Sequence, residues 1–356
     1  MDNFLKKLIE IKSFHPNFKE LIKCKELIKN ELLKLNIPDS KMYDIKDNLI
    51  YVINNSLKKE FETIGILLHY DVLSFKQKDC YKLSENNEYY FGVGVTSAKG
   101  AISAIISALK EEEITKDKKI RIVFTKDETI GSKEGAIFLT DNKRYLIESD
   151  YYWLPDCTDK FISIGCYNII VCKIKVNSKG GHPAYNKITE NINLKTAKMI
   201  INLKNEFDIL ISKYHKKEIL INFISTEIKN KENIIPDSGE LVVEIRLTPK
   251  KNFEILKNEI HNIFERAGIK NVKLVEYPGF YIKNKNNTLI NIIKKQGFGL
   301  NTQIEYSNHD GSYIGYKLNG SVIGFLPGGE NLHRYNEKVK KENINKIKKI
   351  FKNIIN

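Results

Sequence analysis

Histidine and acidic residues follow several apolar runs of the sequence, at positions where buried strands would end. The runs TIGILL, IRIVFTK, YYWLP and SVIGFL are followed by side chains that can bind a metal or move a proton: His69, Asp71, Asp127, Glu128, Asp156 and His333. In open α/β sheets such groups gather at the carboxyl ends of the strands. Neutral imidazole together with carboxylate oxygens is a donor set that zinc takes in proteins. The sequence therefore predicts a zinc site at this edge of a sheet.

The segment GVGVTSAKGA, residues 92–101, has the glycines and the lysine of a phosphate-binding loop but not their order. A P-loop places its lysine after the last glycine and before a serine or threonine. Here Lys99 precedes Gly100, and neither serine nor threonine directly follows the lysine. The dinucleotide-binding fingerprint is also incomplete, because the third glycine is missing after Gly94. The order of residues argues against a nucleotide-binding loop.

The elements that would position these residues suggest two domains, as is usual for 356 residues. Strand-like NLIYVIN, TIGILLHY and IRIVFTKD alternate with helical patterns, which predicts an α/β class with a mostly parallel sheet and helices on both faces. Longer β-branched runs and two helical stretches, near 189–206 and 251–268, then predict an inserted α+β sandwich. The predicted boundaries are 1–166 and 279–356 for the α/β domain and 167–278 for the insertion.

Taken in order, these motifs resemble those of the co-catalytic zinc amidohydrolases, the family of succinyl-diaminopimelate desuccinylase, acetylornithine deacetylase, aminoacylase-1, carboxypeptidase G and peptidase T. LLHYDVLS resembles the His-x-Asp motif, GVGVTSAKGA the Gly-Arg-Gly-x-x-Asp-x-Lys-Gly loop, and TKDETIGSKEGA the Asp-Glu-Glu-x-Gly-Ser segment. LPDCTD, SKGGHPA, NIIPDSGELVVEIRLTP and LHRYNE resemble the remaining motifs of the family. The ordered set spans nearly the whole chain. It implies that the insertion is a dimerisation or lid domain and that the chain forms a homodimer.

The resemblance also implies that two metal-ligand positions of the family are substituted. Alignment on the pair Lys99–Gly100 puts Ser97 at the aspartate that bridges two metals in the family. Alignment on Gly131 puts Glu128 at the catalytic glutamate and Thr129 at the glutamate that ligates the second metal. Each substitution replaces an anionic oxygen with a neutral hydroxyl. We therefore expect a weaker attraction for dications than the family has.

By the same resemblance, the ligands that remain are His69 and Asp156 for the first metal and His333 for the second. A catalytic zinc usually takes three protein ligands, so we predict one zinc per chain or none that is held tightly. Cys157, beside Asp156, and His309, in SNHDG, are candidates for a replacement ligand. The alternatives are a small buried core residue for Cys157 and a hydrogen-bonded loop histidine for His309.

Other residues would complete a hydrolytic site. Asp71 can hydrogen-bond the imidazole of His69 and fix its tautomer. Glu128 is the implied general base toward water and the later proton donor to the leaving amine, and its alternative is an exposed strand-end acid. Asp127 would take that place only if the segment slipped by one residue, and the match of Gly131 argues against a slip.

Three further residues come from the predicted insertion. Arg246 carries a planar fork that suits a substrate carboxylate, although an ion pair on an exposed strand is the alternative. The resemblance implies that His182 and Asn233 reach the active site of a neighbouring subunit. There His182 would stabilise the oxyanion.

Composition limits the partners and the compartment. The net charge is +14, but the lysines are scattered along helical patterns, which favours solvated helix faces over nucleic-acid binding and leaves weak attraction for anionic substrates. The five cysteines are odd in number and have no C-x-x-C spacing, which is typical of free thiols in a reducing cytoplasm. The first residues show neither a signal peptide nor a membrane span.

The sequence thus supports two functional hypotheses. One is a metal-dependent amidohydrolase, a deacylase or peptidase, that acts on N-acyl amino acids or small peptides through a depleted, single-metal site. The alternative is a catalytically inactive family member that binds a small carboxylate ligand or has a regulatory role.

Overall fold

The chain folds into two compact units in a computed structural model. The structure describes residues 3–58, 61–156, 160–185, 190–214, 218–229, 232–250, 252–283, 288–296, 301–326 and 328–356. The first unit comprises Met1–Gly165, Tyr281–Glu305 and His309–Asn356, and the second comprises Cys166–Phe280 and Tyr306–Asn308. The functional labels predicted for the domains, catalytic and dimerisation, remain predictions.

The helices and strands have the following bounds. The strands are β1 Lys41–Ile45, β2 Asn48–Ile53, β3 Thr63–His69, β4 Ser84–Glu85, β5 Tyr89–Phe91, β6 Lys119–Thr125, β7 Tyr151–Leu154, β8 Ile162–Cys166, β9 Asn168–Asn177, β10 Ile219–Ile228, β11 Ser238–Leu247, β12 Val272–Tyr277, β13 Phe280–Tyr281, β14 Thr302–Glu305, β15 Ser321–Gly324 and β16 Lys338–Lys340. The helices are α1 Asn3–Glu10, α2 Phe18–Leu33, α3 Lys99–Glu111, α4 Ala136–Asn142, α5 Arg144–Ile147, α6 Ile192–Ser212, α7 Phe253–Arg266, α8 Thr288–Lys295, α9 Asp310–Lys317 and α10 Lys341–Ile355.

The first unit is built on a mixed sheet whose central strands are parallel. The strand order is β1-β2-β6-β3-β7-β15-β8-β13, and β14 pairs with β8. Strands β6, β3, β7 and β15 run parallel to one another. Their outer neighbours β2 and β8 pair with β6 and β15 in the antiparallel sense, and β1 and β2 form an antiparallel hairpin at one edge. Strand β3 is apolar and buried along nearly its whole length, as expected for a central parallel strand. The predicted α/β class with a mostly parallel sheet is confirmed.

The second unit has an antiparallel sheet of order β10-β11-β9-β12, on which helices α6 and α7 pack. The sequence of β9, NIIVCKIKVN, explains why helices cover one face of this sheet. Its apolar side chains alternate with exposed lysines, so that one face enters the core. The core includes Cys172, Phe207, Val243 and Phe264. The predicted α+β insertion is therefore confirmed as a fold.

A small third sheet, β16-β5-β4, joins two distant segments of the first unit. It pairs β5, which directly precedes the loop 92–98, with β16, which directly follows Glu337. This pairing brings the loop and Glu337 together. Among the described helices, none is both long and apolar enough to cross a membrane.

Candidate active site

His69 lies at the end of β3, and both of its ring nitrogens face polar side chains. The residue is buried, with 3% of its surface exposed. Its Nδ1 lies 3.1 Å from Oδ1 of Asp71 and 3.0 Å from the Asp71 carbonyl oxygen. Its Nε2 lies 3.2 Å from Oδ2 of Asp156 and 3.1 Å from Oγ of Ser97. Segments that follow two parallel strands, and the loop before α3, therefore meet at one imidazole.

Asp71 is fully buried and is held by the segment that follows β6. The N–H and the hydroxyl of Thr129 donate to its Oδ2 at 2.9 and 2.6 Å, and the N–H of Glu128 donates to its Oδ1 at 3.3 Å. Burial would raise the pKa of Asp71, but hydrogen bonds and charge from His69, together with the Thr129 donors, lower it overall. The ionised carboxylate favours a proton on Nδ1 of His69. The Thr129 hydroxyl is thus engaged by Asp71.

Glu128 lies beside the imidazole, whereas Asp127 does not. Glu128 begins a short 3₁₀ turn, and its Oε2 lies 3.9 Å from Nε2 of His69. Burial raises the pKa of Glu128 to about 8, neighbouring carboxylates add to the shift, and His69 opposes it. The Oδ2 of Asp127 accepts the N–H of Glu134 at 2.6 Å, inside its own loop. The register of this segment therefore presents Glu128 to His69.

The carboxylates around His69 favour a positive charge at this point. Burial alone would lower the pKa of His69, but the charges and hydrogen bonds of Glu128, Asp156 and Asp71 raise it well above its ordinary value. Opposite charges within a few ångströms stabilise the charged form of a buried group. Either an imidazolium or a bound cation would meet this requirement.

The loop 92–98 is held by a buried carboxylate that the sequence analysis did not single out. Glu337 accepts hydrogen bonds from the N–H groups of Gly94, Thr96 and Ser97 at 3.0, 2.6 and 3.2 Å. Backbone N–H groups of this kind would cradle a phosphate in a nucleotide-binding loop. Here they bind a side chain of the protein itself. The only trace in the sequence is an acidic residue four positions after His333.

Lys99 and Gly100 fix the loop from the other side. Lys99 is fully buried, and its Nζ donates to the carbonyl oxygens of Leu8 and Ile11 at 2.8 and 2.7 Å. It thereby ties the loop to the end of α1. A Cβ on Gly100 would lie 2.0 Å from the carbonyl oxygen of Val95, so only glycine fits where α3 begins. The loop is held with its serine toward the imidazole.

His333 lies on the same cleft as the imidazole. It is exposed and has a φ of 61°, and it lines the cleft together with His69, Ser97 and Thr129. The free volume of the cleft is about 10 Å³. That is roughly the room that one water molecule needs.

Asp310 is a second buried acid that the sequence analysis missed. The hydroxyls of Thr125 and Ser132 donate to its two carboxylate oxygens. Burial raises the pKa of Asp310 to about 6. His309, considered as a replacement ligand, is buried at the start of α9, and burial lowers its pKa. The other candidate, Cys157, lies outside the described residues.

Comparison with known proteins places the chain in a family. The model of peptidase family M20/M25/M40 matches residues 65–356. The chain belongs to this family. An uncharacterised metallohydrolase of Methanococcus maripaludis is 26% identical, over 98% of this chain and 96% of its own. A succinyl-diaminopimelate desuccinylase of Nitrosomonas eutropha is 24% identical, over 74% of this chain and 73% of its own.

Solved M20-type structures share the fold of this chain. A tripeptidase of Staphylococcus aureus matches with a TM-score of 0.76 at 19% identity, covering 99% of this chain and 96% of its own. An M20-family metallo-carboxypeptidase of Sulfolobus solfataricus matches with a TM-score of 0.76 at 16% identity, covering 100% and 99%. The resemblance inferred from the motifs is confirmed. The M20 chain is a hydrolase of the metallopeptidase and deacylase class.

The second unit of this M20 chain carries the remaining predicted residues. Nε of Arg246 lies 2.7 Å from Oε1 of Glu244, and Nη1 donates to the carbonyl oxygen of Tyr306 at 2.6 Å. The guanidinium thus has an acidic partner on its own strand, which was the alternative interpretation of this residue. His182 and Asn233 are exposed. Their predicted roles at a neighbouring active site remain predictions.

Proposed function

We propose that the chain is a metal-dependent amide hydrolase that cleaves N-acyl amino acids or small peptides through a single-metal site. The observation that supports this most is the approach of an imidazole and a carboxylate, two groups that zinc can bind, beside a protonatable acid. Nε2 of His69 and Oδ2 of Asp156 lie 3.2 Å apart, and Oε2 of Glu128 lies 3.9 Å from the same nitrogen.

The donor set suits one metal ion better than two. His69 and Asp156 are close enough to contact a common ion, and His333 lines the same cleft as a third candidate ligand. Within the described ranges, no three or more His, Cys, Asp or Glu side chains are already arranged to hold a metal ion, so a third ligand such as His333 would have to move toward His69 and Asp156 when zinc binds. Ser97 and Thr129 offer neutral hydroxyls, and a two-metal centre relies on carboxylates that bind both ions. We therefore expect zinc at one position per chain.

The proposed chemistry assigns the proton transfers to Glu128. Its Oε2 would take a proton from the attacking water and then deliver it to the nitrogen of the leaving amine. Burial raises the pKa of Glu128 to about 8 without a metal ion, and a zinc ion close by would lower it toward the neutral range that suits a group that must both accept and donate a proton. A bound zinc ion would supply Lewis-acid polarisation of the substrate carbonyl. Asp71 would keep the proton on Nδ1 of His69 and leave the Nε2 lone pair available.

Residues of the second unit would complete the site in a homodimer. His182 of a neighbouring subunit would stabilise the oxyanion, with Asn233 beside the substrate. Arg246 would exchange its bond with Glu244 for a bidentate bond to a substrate carboxylate. The cysteine pattern supports a reducing, cytoplasmic setting.

A second candidate function is a family member that has kept the fold but lost turnover. Ser97 and Thr129 support it, because their hydroxyls already bond His69 and Asp71. Such a protein would bind a small carboxylate ligand without cleaving it.

Hydrolysis by matched glutamine variants separates the two. Zinc-loaded protein is assayed on a panel of N-acetyl amino acids, N-succinyl amino acids and dipeptides. We expect turnover that Glu128→Gln lowers by about 10²- to 10⁴-fold. Glu134→Gln is the control, because Glu134 is exposed, pairs with Lys126 and lies on the same loop. Turnover on no member of the panel would favour the second candidate, and equal turnover by wild type and Glu128→Gln would contradict the role of Glu128.

A further inference from the structure

A recess lies at the opposite edge of the sheet from His69. Its volume is about 540 Å³. It is lined where four parallel strands begin: Thr63 and Lys119 start β3 and β6, and Asp150 and Gly320 directly precede β7 and β15. From the rise per residue of a parallel strand, the start of β3 lies about 20 Å from His69 at the end of the same strand. The recess is therefore separate from the proposed active site.

Three cations, Lys58, Lys119 and Arg121, line this recess, which we call the basic recess. Within the described part of the chain, none of them has a carboxylate partner within the 4.0 Å of an ion pair. Burial and the like charge of Arg121 lower the pKa of Lys119. The two cations on β6 therefore repel each other in a partly desolvated place.

Of the three cations, Arg121 has the largest free-energy cost of burial. Its Nη1 donates to the backbone carbonyl oxygen of Glu148, but its Nε is buried and has no hydrogen-bond partner among the described residues. Burial also lowers the pKa of Arg121. A buried donor of a charged group that lacks a partner destabilises the fold. An anion close to the guanidinium would offset that cost.

The carboxylates on the recess are already engaged. Glu148 pairs with Arg144 at 2.8 Å, and Oδ2 of Asp150 accepts the N–H of Thr63 at 2.7 Å. The recess thus keeps an excess of positive charge. Around it stand neutral hydrogen-bonding groups, including Ser149 and Asn319, and the ring of Tyr145, whose residue is 66% exposed.

We propose that the basic recess binds a phosphate-bearing small molecule. A phosphate group brings about 1.5 to 2 negative charges at neutral pH, more than a single carboxylate brings to the three cations. Arginine and lysine together are the usual phosphate partners, the one through its planar fork and the other as a point charge. The volume of the recess exceeds that of a free phosphate and suits a small phosphate ester. The ring of Tyr145 could stack on an aromatic group of such an ester.

Calorimetric titration of metal-free protein tests this assignment without any dependence on turnover. The probes are inorganic phosphate, pyrophosphate and AMP, with succinate as the dicarboxylate comparison. We expect Lys119→Gln to weaken binding of the phosphate probes by at least about tenfold, as loss of a charged hydrogen bond does. Lys118→Gln is the matched control, because the Nζ of Lys118 instead reaches the carbonyl oxygen of Ile354 at 3.4 Å.

A variant at the more buried Arg121 could lose binding through poor folding alone, so the test does not rest on that variant. Arg121→Gln is included for a larger loss, and Lys58→Gln provides a second test at the recess. Selective loss in Lys119→Gln or Lys58→Gln, with Lys118→Gln unchanged, supports the site. Absence of binding to all three phosphate probes, unaltered binding in both lysine variants, or equal affinity for succinate would overturn it.

Discussion

The hydroxyls of Ser97 and Thr129 set how much positive charge the cluster around His69 can bind. Ser97 lies 3.1 Å from Nε2 of His69, and Thr129 donates to Asp71 at 2.6 Å. By resemblance, both stand where the family has metal-binding carboxylates. The acids that remain, among them Glu128, still raise the pKa of His69 well above its ordinary value after opposing the effect of burial. The residues therefore predict a site that attracts one cation more than two.

Placing carboxylates at both positions should raise the hydrolytic activity. In the double variant Ser97→Asp with Thr129→Glu, we expect zinc-dependent hydrolysis of N-acetyl or N-succinyl amino acids to rise at least about 100-fold, or ~2.7 kcal/mol of barrier. Adding Glu128→Ala should abolish the gain, because the proton acceptor is lost. Without zinc, the new glutamate stands beside Asp71, so we also expect lower stability in chelator.

The control for the double variant adds the same two charges elsewhere. Ser84→Asp with Thr288→Glu places them at exposed positions of the first unit, outside the predicted dimer strand β10, and should leave hydrolysis unchanged. A Ser97→Asp, Thr129→Glu protein that binds two zinc ions but stays inert on the whole panel would contradict the prediction. The site would then have diverged beyond its ligands.

Asp310 predicts a pH dependence of stability. Burial raises its pKa to about 6, above an unfolded value of about 3.9. The contribution of the protonated Asp310 to the free energy of unfolding is therefore fully present below about pH 4. It is lost as the pH rises through about 6, a change on the order of 3 kcal/mol. We expect Asp310→Asn to remove this fall from urea-unfolding free energies measured between about pH 4 and 7. Asp79→Asn, at an exposed position, is the control. Equal pH slopes for wild type and Asp310→Asn would contradict the assignment.

Strands with a clear pattern of apolar residues were predictable from the sequence. Strand β3, and β6 from Ile122 to Phe124, appear as continuous apolar runs because parallel strands are buried on both faces. Strand β9 alternates because one of its faces is solvated. Strands β4, β5 and β16 have two or three residues each, too few to show a period, and the sequence analysis missed them.

The proximity of site residues was predictable where each residue follows a strand, but not where two distant segments meet without such a local pattern. His69 and Asp156 were predicted to lie together because strand ends collect functional groups, and their side chains are in contact. Glu337 was missed because its partner Gly94 lies 243 residues away, and no local pattern encodes that contact. Asp310 was missed for the same reason, since its hydroxyl partners belong to β6 and to the loop that follows β6.

Glu337 connects the small third sheet to the loop before α3. In Glu337→Ala, three backbone N–H groups lose their acceptor, and a buried side chain is removed. We expect a loss of about 3 kcal/mol or more in the free energy of unfolding, measured by urea titration. Glu330→Ala on the same segment should change it by about 0.5 kcal/mol or less, because that exposed acid pairs with Lys338 at the surface. Similar stability of the two variants would contradict the role of Glu337.

For the whole molecule, the family resemblance predicts an isologous homodimer formed through the second unit. Strand β10 lies at the end of its sheet in the described structure, and Ile224 on that strand is 55% exposed. An edge strand with exposed apolar side chains favours pairing with another copy. We expect a dimer in analytical sedimentation at micromolar concentration. A monomer would remove the assembly prediction, together with the role of His182 at a neighbouring site.

The number of zinc ions per chain tests the central claim most directly. Protein is loaded with zinc, desalted after mild chelation and measured by elemental analysis, beside the Ser97→Asp, Thr129→Glu variant. With His69 and Asp156 as the main anchors, we predict about one zinc per chain for the wild type and about two for the variant. Two tightly held zinc ions in the wild type would show that replacement ligands complete a two-metal centre, and no bound zinc would contradict a metal-dependent hydrolase.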